Sequence, residues 1–189
     1  MSEKNNNQEN QTGGFVVEVY EWLEAVAFAL AIVVLLFTFL FRVVSVSGPS
    51  MNPTLYSGDR IVLNSLLYIP QNGDIVVITQ PNSHDNEPLI KRVIAVEGQT
   101  ISVDAETDSV TVDGVKINEP YILDQDIKRS GESYQYPLTI PKGKVFVMGD
   151  NRNDSFDSRD PGLGMVEEKY IMGKAIFRIY PFERVGGLD

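Results

Sequence analysis

Three short stretches concentrate the side chains that could do chemistry. In VSGPSMNPTL (46–55), Ser50 stands between Pro49 and Asn52-Pro53. Each proline fixes its own φ and restricts the residue ahead of it, so the backbone around the hydroxyl is stiff. Stiffness suits a nucleophile, for which an ångström of misplacement is costly. In LIKRVIAV (89–96), Lys91 and Arg92 interrupt an apolar strand pattern. Alternation assigns Leu89, Lys91, Val93 and Ala95 to one face and Ile90, Arg92, Ile94 and Val96 to the other. On either face a cation meets apolar surroundings, which disfavour its charged form. A lysine acting as base near neutral pH must titrate about three units below its usual ~10.4, roughly 4 kcal/mol. Arginine does not lose its proton, so Arg92 reads as structural or ion-paired. The third stretch, GDNRNDSFDSR (149–159), has the density of a calcium loop but not its pattern. Counting from Asp150 puts Arg152 at a ligand position, and counting from Asn151 leaves neither the glycine nor the final glutamate in place. Two arginines among the acids predict internal ion pairs that stiffen the loop.

Other catalytic arrangements fail on particular residues. The G-x-S-x-G elbow breaks at Asn52, and no lysine has a serine three positions before it. The single histidine, His84, lies in the polar stretch PNSHDNEP and reads as a solvated loop residue rather than a general base. The absence of cysteine excludes disulfides, zinc–thiolate sites and a thiol nucleophile. A net charge of −10 argues against a nucleic-acid partner, and no metal or cofactor is called for. What remains is a serine and a lysine brought together by folding. Two plainer readings compete: an ordinary turn at Ser50, and a lysine snorkelling from an edge strand at position 91.

The elements that must position these residues follow from composition. Residues 1–18 begin with a run rich in Asn, Gln and Glu that suggests a disordered tail. The apolar run from Ala25 to Phe41, with Thr38 its only polar member, would span about 25 Å as a helix. Extension over residues 19–44 makes it a transmembrane anchor, with Tyr20 and Trp22 at the interface and Glu24 and Arg42 near the boundaries. A cleaved signal peptide would want a more basic start and a shorter core, although Ser45-Val46-Ser47 resembles a cleavage site. Charge flanking the run does not set its orientation. Residues 45–189 then form one β-rich domain. Strands are expected at 59–64, 74–79, 89–96, 144–148 and 170–180, with a hairpin from 100–104 and 109–117. The turn signals are Asn72-Gly73, Glu97-Gly98, Asp113-Gly114 and Lys142-Gly143. The fold class is mostly β, antiparallel sheets around one core.

Four motifs, in order, resemble those of bacterial type I signal peptidases: Ser50-Met51-Asn52-Pro53-Thr54-Leu55, Gly73-Asp74-Ile75-Val76, Lys91-Arg92-Val93, and Gly149-Asp150-Asn151-Arg152 through Asp157-Ser158-Arg159. The resemblance covers roughly residues 20–182. It implies a two-sheet catalytic domain behind one membrane anchor, on the extracytoplasmic side of the cell membrane. It implies Ser50 as nucleophile and Lys91 as general base, cleaving signal peptides from secretory preproteins after small-x-small sites. The serine at Ser155's position would orient the lysine amine, with Asp157 and Arg159 a supporting ion pair. Met51, Leu89 and Ile90 are placed near the substrate pockets. Gly48 stands where some members carry a serine that helps bind the oxyanion, which leaves the Ser50 N–H as the donor named here. Leu66-Leu67-Tyr68-Ile69-Pro70 reads either as a second contact with the lipid bilayer or as the end of a core strand. Two rival functions share these features: a self-cleaving repressor-like Ser/Lys peptidase, against which the anchor argues, and a non-catalytic tethered β-domain, against which the intact Ser50, Lys91 and Ser155 argue.

Overall fold

The structure, a computed structural model, describes residues 3–81, 87–104, 109–122 and 135–188, without the side chains of 3–16 and 36–41. His84 therefore lies outside the described residues, as does the connection of the expected hairpin. The chain divides into two compact units, Met1–Leu40 and Phe41–Asp189.

The first unit is a single helix, α1 (Glu3–Leu40), which begins inside the stretch whose composition suggests a tail. From Val17 to Leu35 its side chains are exposed all round, Trp22, Phe28 and Leu30 among them. Among the described residues, no helix is long and apolar enough to cross a membrane. Described side chains stop at Leu35, part-way along the apolar run, and they include Glu18, Glu21 and Glu24.

The second unit is built from antiparallel strands. In chain order they are β1 (Phe41–Ser45), β2 (Arg60–Asn64), β3 (Ile75–Ile78), β4 (Leu89–Ala95), β5 (Thr100–Asp104), β6 (Ser109–Val112), β7 (Val115–Lys116), β8 (Leu138–Thr139), β9 (Lys144–Met148), β10 (Val166–Glu167), β11 (Ile171–Tyr180) and β12 (Gly186–Gly187). A large sheet runs β1-β2-β11-β3-β4-β9-β10, with β12 on β11; a smaller one runs β7-β6-β5-β8. The strands expected from the sequence are present to within a residue or two, except that 109–117 is not one arm: it breaks at the Asp113-Gly114 turn into β6 and β7, which pair with each other. β1 is the main addition: FRVVS continues the apolar run without a break, and its pairing with β2 (Phe41 opposite Asn64) leaves no local signal.

Three clusters of buried side chains form the core. Ile75 and Val77 of β3 join Met51, Leu55, Ile61, Leu63 and Ile90 in one, while Val76 and Ile78 join Val93, Val145 and Val147 in another. Ile94, Ile101, Val110, Phe146 and Met148 form the third, between the two sheets' strands. β3 and β9 thus bury both faces, each large aliphatic side chain contributing about 1.5–3 kcal/mol. The strict alternation expected along 89–96 fails at one point. The register of β4 on β9 shifts between Val93 and Ala95, so Ala95 packs beside Ile94 rather than with Val93. A bulge of this kind adds a residue and re-aims those after it.

β4 lies between β3 and β9, so Lys91 sits on an interior strand, opposite Val76. The edge-strand alternative for this lysine is removed by that placement.

Candidate active site

The backbone puts Ser50 on a tight turn. Gly48 takes φ +81°, a left-handed conformation that a side chain would strain. Beyond it, the Asn52 N–H donates to the Pro49 carbonyl at 3.0 Å and the Leu55 N–H to the Met51 carbonyl at 2.9 Å. Met51 and Leu55 point down into the core and pin the turn from below.

The loop 149–159 meets this turn directly. The Asn151 N–H donates to the Ser50 carbonyl at 3.0 Å, and Asn151 Nδ2 to the Pro49 carbonyl at 3.3 Å. Gly149 makes the approach possible. A Cβ there would fall 2.5 Å from the Ser50 carbonyl oxygen and into the Ser155 side chain.

Lys91 completes the arrangement: its Nζ donates to Ser50 Oγ at 2.8 Å. The lysine is 2% exposed, and burial lowers its pKa from 10.5 to about 8. The Asp157 carboxylate pulls the other way, Arg159 reinforces the lowering, and Asp150 opposes it. These three charges are held in pairs. Arg159 grips Asp157 through Nε–Oδ1 at 2.8 Å and Nη2–Oδ2 at 2.9 Å, and the Gly149 N–H adds a third bond at 3.0 Å. Burial alone would raise the Asp157 carboxyl, but these donors hold it below the usual carboxylate range. Arg92 grips Asp150 likewise, with both bonds at 2.8 Å, and gives its remaining nitrogen to the Gly73 carbonyl at 2.8 Å. Pairing offsets the cost of burying each ion, and among the described residues it leaves Lys91 as the cation of this cluster held in no ion pair.

Ser155 is brought to the site but not into a bond with the lysine. Its Oγ is buried without a well-formed hydrogen bond, although the hydroxyl is close enough to Asp157 to help lower that carboxyl. Met51 (1% exposed) and Ile90 (7%) share a core cluster, whereas the half-buried Leu89 packs into a different one.

Several supporting residues carry weak sequence signals. Arg152, expected to pair within its own loop, instead reaches Glu119 with both terminal nitrogens, one of them at 3.0 Å. Tyr121 lies under the Arg92 guanidinium, 3.9 Å from ring centre to Cζ. Glu119 and Tyr121 sit in an undistinguished connection, so nothing local marks them. Thr54 donates to Asp150 Oδ2 at 2.5 Å, and Arg178 of β11 holds the Thr54 carbonyl at 2.9 Å.

A buried lysine bonded to a serine hydroxyl can activate that hydroxyl once the amine is neutral, which is the chemistry of a serine hydrolase with no need of histidine. The comparisons with known proteins agree on the family. Residues 19–180 match the family model described as signal peptidase, peptidase S26. Signal peptidase I of Bacillus licheniformis is 34% identical, with 99% of this chain and 98% of that protein aligned. Signal peptidase I T of Bacillus subtilis (strain 168) is 36% identical over 98% of both. A signal peptidase I of Bacillus amyloliquefaciens is 39% identical over 86% of both. A solved signal peptidase I from Enterococcus faecalis V583, 28% identical, covers 57% of this chain and 97% of its own at a TM-score of 0.45; the assignment rests on the sequence matches. The chain belongs to the signal peptidase family, peptidase S26, and is a serine endopeptidase of the signal peptidase I type.

Proposed function

We propose that this chain removes signal peptides from secretory preproteins through a Ser50/Lys91 dyad. The observation that carries the reading is the 2.8 Å contact between Ser50 Oγ and the amine of a lysine that burial brings down to about pKa 8. Neutral Lys91 takes the Ser50 proton as Oγ attacks the scissile carbonyl, and the oxyanion is received by the Ser50 backbone N–H. The lysinium returns its proton to the leaving amine. In the second half, Lys91 deprotonates water, which attacks the acyl-enzyme and frees Ser50. Asp157 and Arg159 cancel each other's charge beside Lys91 and so keep its pKa low. Ser155 orients the amine when the lysine turns toward the leaving group. Pockets for the small residues of an Ala-x-Ala-like site lie beside Met51, Leu89 and Ile90.

The same reading makes the apolar part of α1, up to Leu40, a single membrane anchor, followed on the extracytoplasmic side by a catalytic domain that begins with β1 at Phe41 rather than at residue 45, because residues 41–45 pair with β2. Two features support it. Apolar side chains surround α1 from Val26 to Leu35, with no polar face for water. Leu66, Leu67 and Ile69, which are 58%, 91% and 75% exposed, follow directly on β2, whose last residue pairs with Phe41 at the end of that apolar run. A lipid surface there would cover side chains that water does not favour.

The test is incubation of the full chain, in detergent micelles, with a purified preprotein, followed by N-terminal sequencing of the product. Expected is a single new N-terminus after a small-x-small site, absent with Ser50→Ala and with Lys91→Ala. Processing that survives either substitution would rule out the dyad.

A further inference from the structure

We infer that Thr54 is a positioning residue for the reaction: through Asp150 it ties the turn that carries Ser50 to the strand that carries Lys91. The inference rests on the dyad reading above and adds a residue to which that reading gives no role.

One carboxylate serves both halves of the dyad. Asp150 is fully buried; its Oδ2 accepts from Thr54 Oγ1 at 2.5 Å and from Arg92 Nη2 at 2.8 Å, and its Oδ1 accepts from Arg92 Nε at 2.8 Å. Thr54 lies four residues after Ser50, within the turn closed by the Leu55 N–H on the Met51 carbonyl. Arg92 follows Lys91 in β4, and its third nitrogen is fixed on the Gly73 carbonyl. The path Thr54–Asp150–Arg92 therefore joins the two segments by side chains alone, independently of the Oγ–Nζ contact that it sets.

The other ties on the turn act elsewhere. Asn151 holds the carbonyls of Pro49 and Ser50, on the upstream side, and Arg178 holds the Thr54 carbonyl. With the main chain so held, loss of the Thr54 hydroxyl leaves the turn folded. It removes the link through Asp150, which among the described residues is the partner that this turn and the neighbour of Lys91 share. Asp150 meanwhile keeps both bonds from Arg92, so its charge stays paired. The consequence is a looser Ser50–Lys91 geometry in a folded protein, which lowers the rate of the chemical step while binding is retained. A misplacement of about 1 Å at such a site costs on the order of 100-fold.

The experiment is steady-state kinetics of the full chain in micelles on a peptide spanning an Ala-x-Ala site. The variants are Thr54→Val, Thr54→Ala and Thr54→Ser, with Ser50→Ala alongside and thermal unfolding recorded for each. Expected is a kcat lowered about 10- to 100-fold in the valine and alanine variants, KM within about twofold, and recovery to within about threefold in Thr54→Ser, since serine supplies the same donor. A kcat within threefold of the parent in either variant overturns the inference. So does a serine variant as slow as the valine one, or a loss explained by the fraction unfolded. If valine and alanine both abolish folding, the hydroxyl is structural and the inference fails. Should Ser50→Ala remain active, the dyad reading itself has failed, a result distinct from all of these.

Discussion

Replacing Lys91 by methionine should abolish turnover and at the same time stabilise the protein. The lysine is buried on an interior strand, and burial lowers its pKa from 10.5 to about 8. At about 1.4 kcal/mol per pH unit, that difference corresponds to roughly 3 kcal/mol. This is the cost of holding the charged amine in the folded state below pH 8, relative to the unfolded chain. The sign follows from proton binding. Between about pH 8 and 10.5 the unfolded chain binds more protons at this group than the folded one, so folding stability rises with pH there. Below pH 8 both states are protonated and the full cost stands. Methionine has nearly the same length, cannot be charged and fills the space, so Lys91→Met removes the cost. The expected gain is up to about 3 kcal/mol at pH 7, or roughly 6–12 °C in Tm for a domain of this size. It should shrink as the pH is raised from 8 and vanish near 10.5. Scanning calorimetry of parent and variant in the same detergent, at several pH values, reads this directly. Tryptophan fluorescence would not, because the only tryptophan, Trp22, lies in the helical unit. A variant equally or less stable at pH 7 would mean that Lys91 bears no charge-burial cost, and the basis for its neutral form would be lost.

Gly149→Ala should reduce kcat at least 100-fold and cost about 1–3 kcal/mol, because its methyl would meet the Ser50 carbonyl and the Ser155 side chain; kinetics and urea unfolding on one preparation check both. Arg92→Ala strands the buried Asp150 carboxylate and should cost about 3–5 kcal/mol in urea unfolding, more than Arg92→Met combined with Asp150→Leu. Ser155→Ala should slow turnover less completely than Lys91→Ala and displace the pH profile, and an unchanged profile would remove its orienting role.

Much of the site was legible because its residues sit in compact motifs. Proline and glycine around Ser50, two cations in an apolar strand and a polar loop after a core strand each announce a local constraint. What remained hidden depends on long-range geometry. Alternation places Lys91 on a face but does not tell an interior strand from an edge; the pairing of β4 with both β3 and β9 decides that. The same alternation misplaces Ala95, since the bulge in β4, formed where it pairs with β9, has no signature in LIKRVIAV. β1 was hidden because strand and helix share the same apolar residues where one passes into the other. Arg152 was expected to pair within its loop, yet its partner Glu119 comes from 33 positions earlier. Thr54 carries no signal of its own, because a threonine in a turn looks local until Asp150, 96 residues on, is brought against it.

Isotopic labelling of the lysine side chains, with an NMR titration of Lys91 assigned through Lys91→Arg, would show directly whether this amine becomes neutral. Expected are a pKa near 8 and a rise in kcat/KM with pH that bends at the same value. A titration near 10.5, or a kinetic bend that does not coincide with the titration, would mean that Lys91 is not the base.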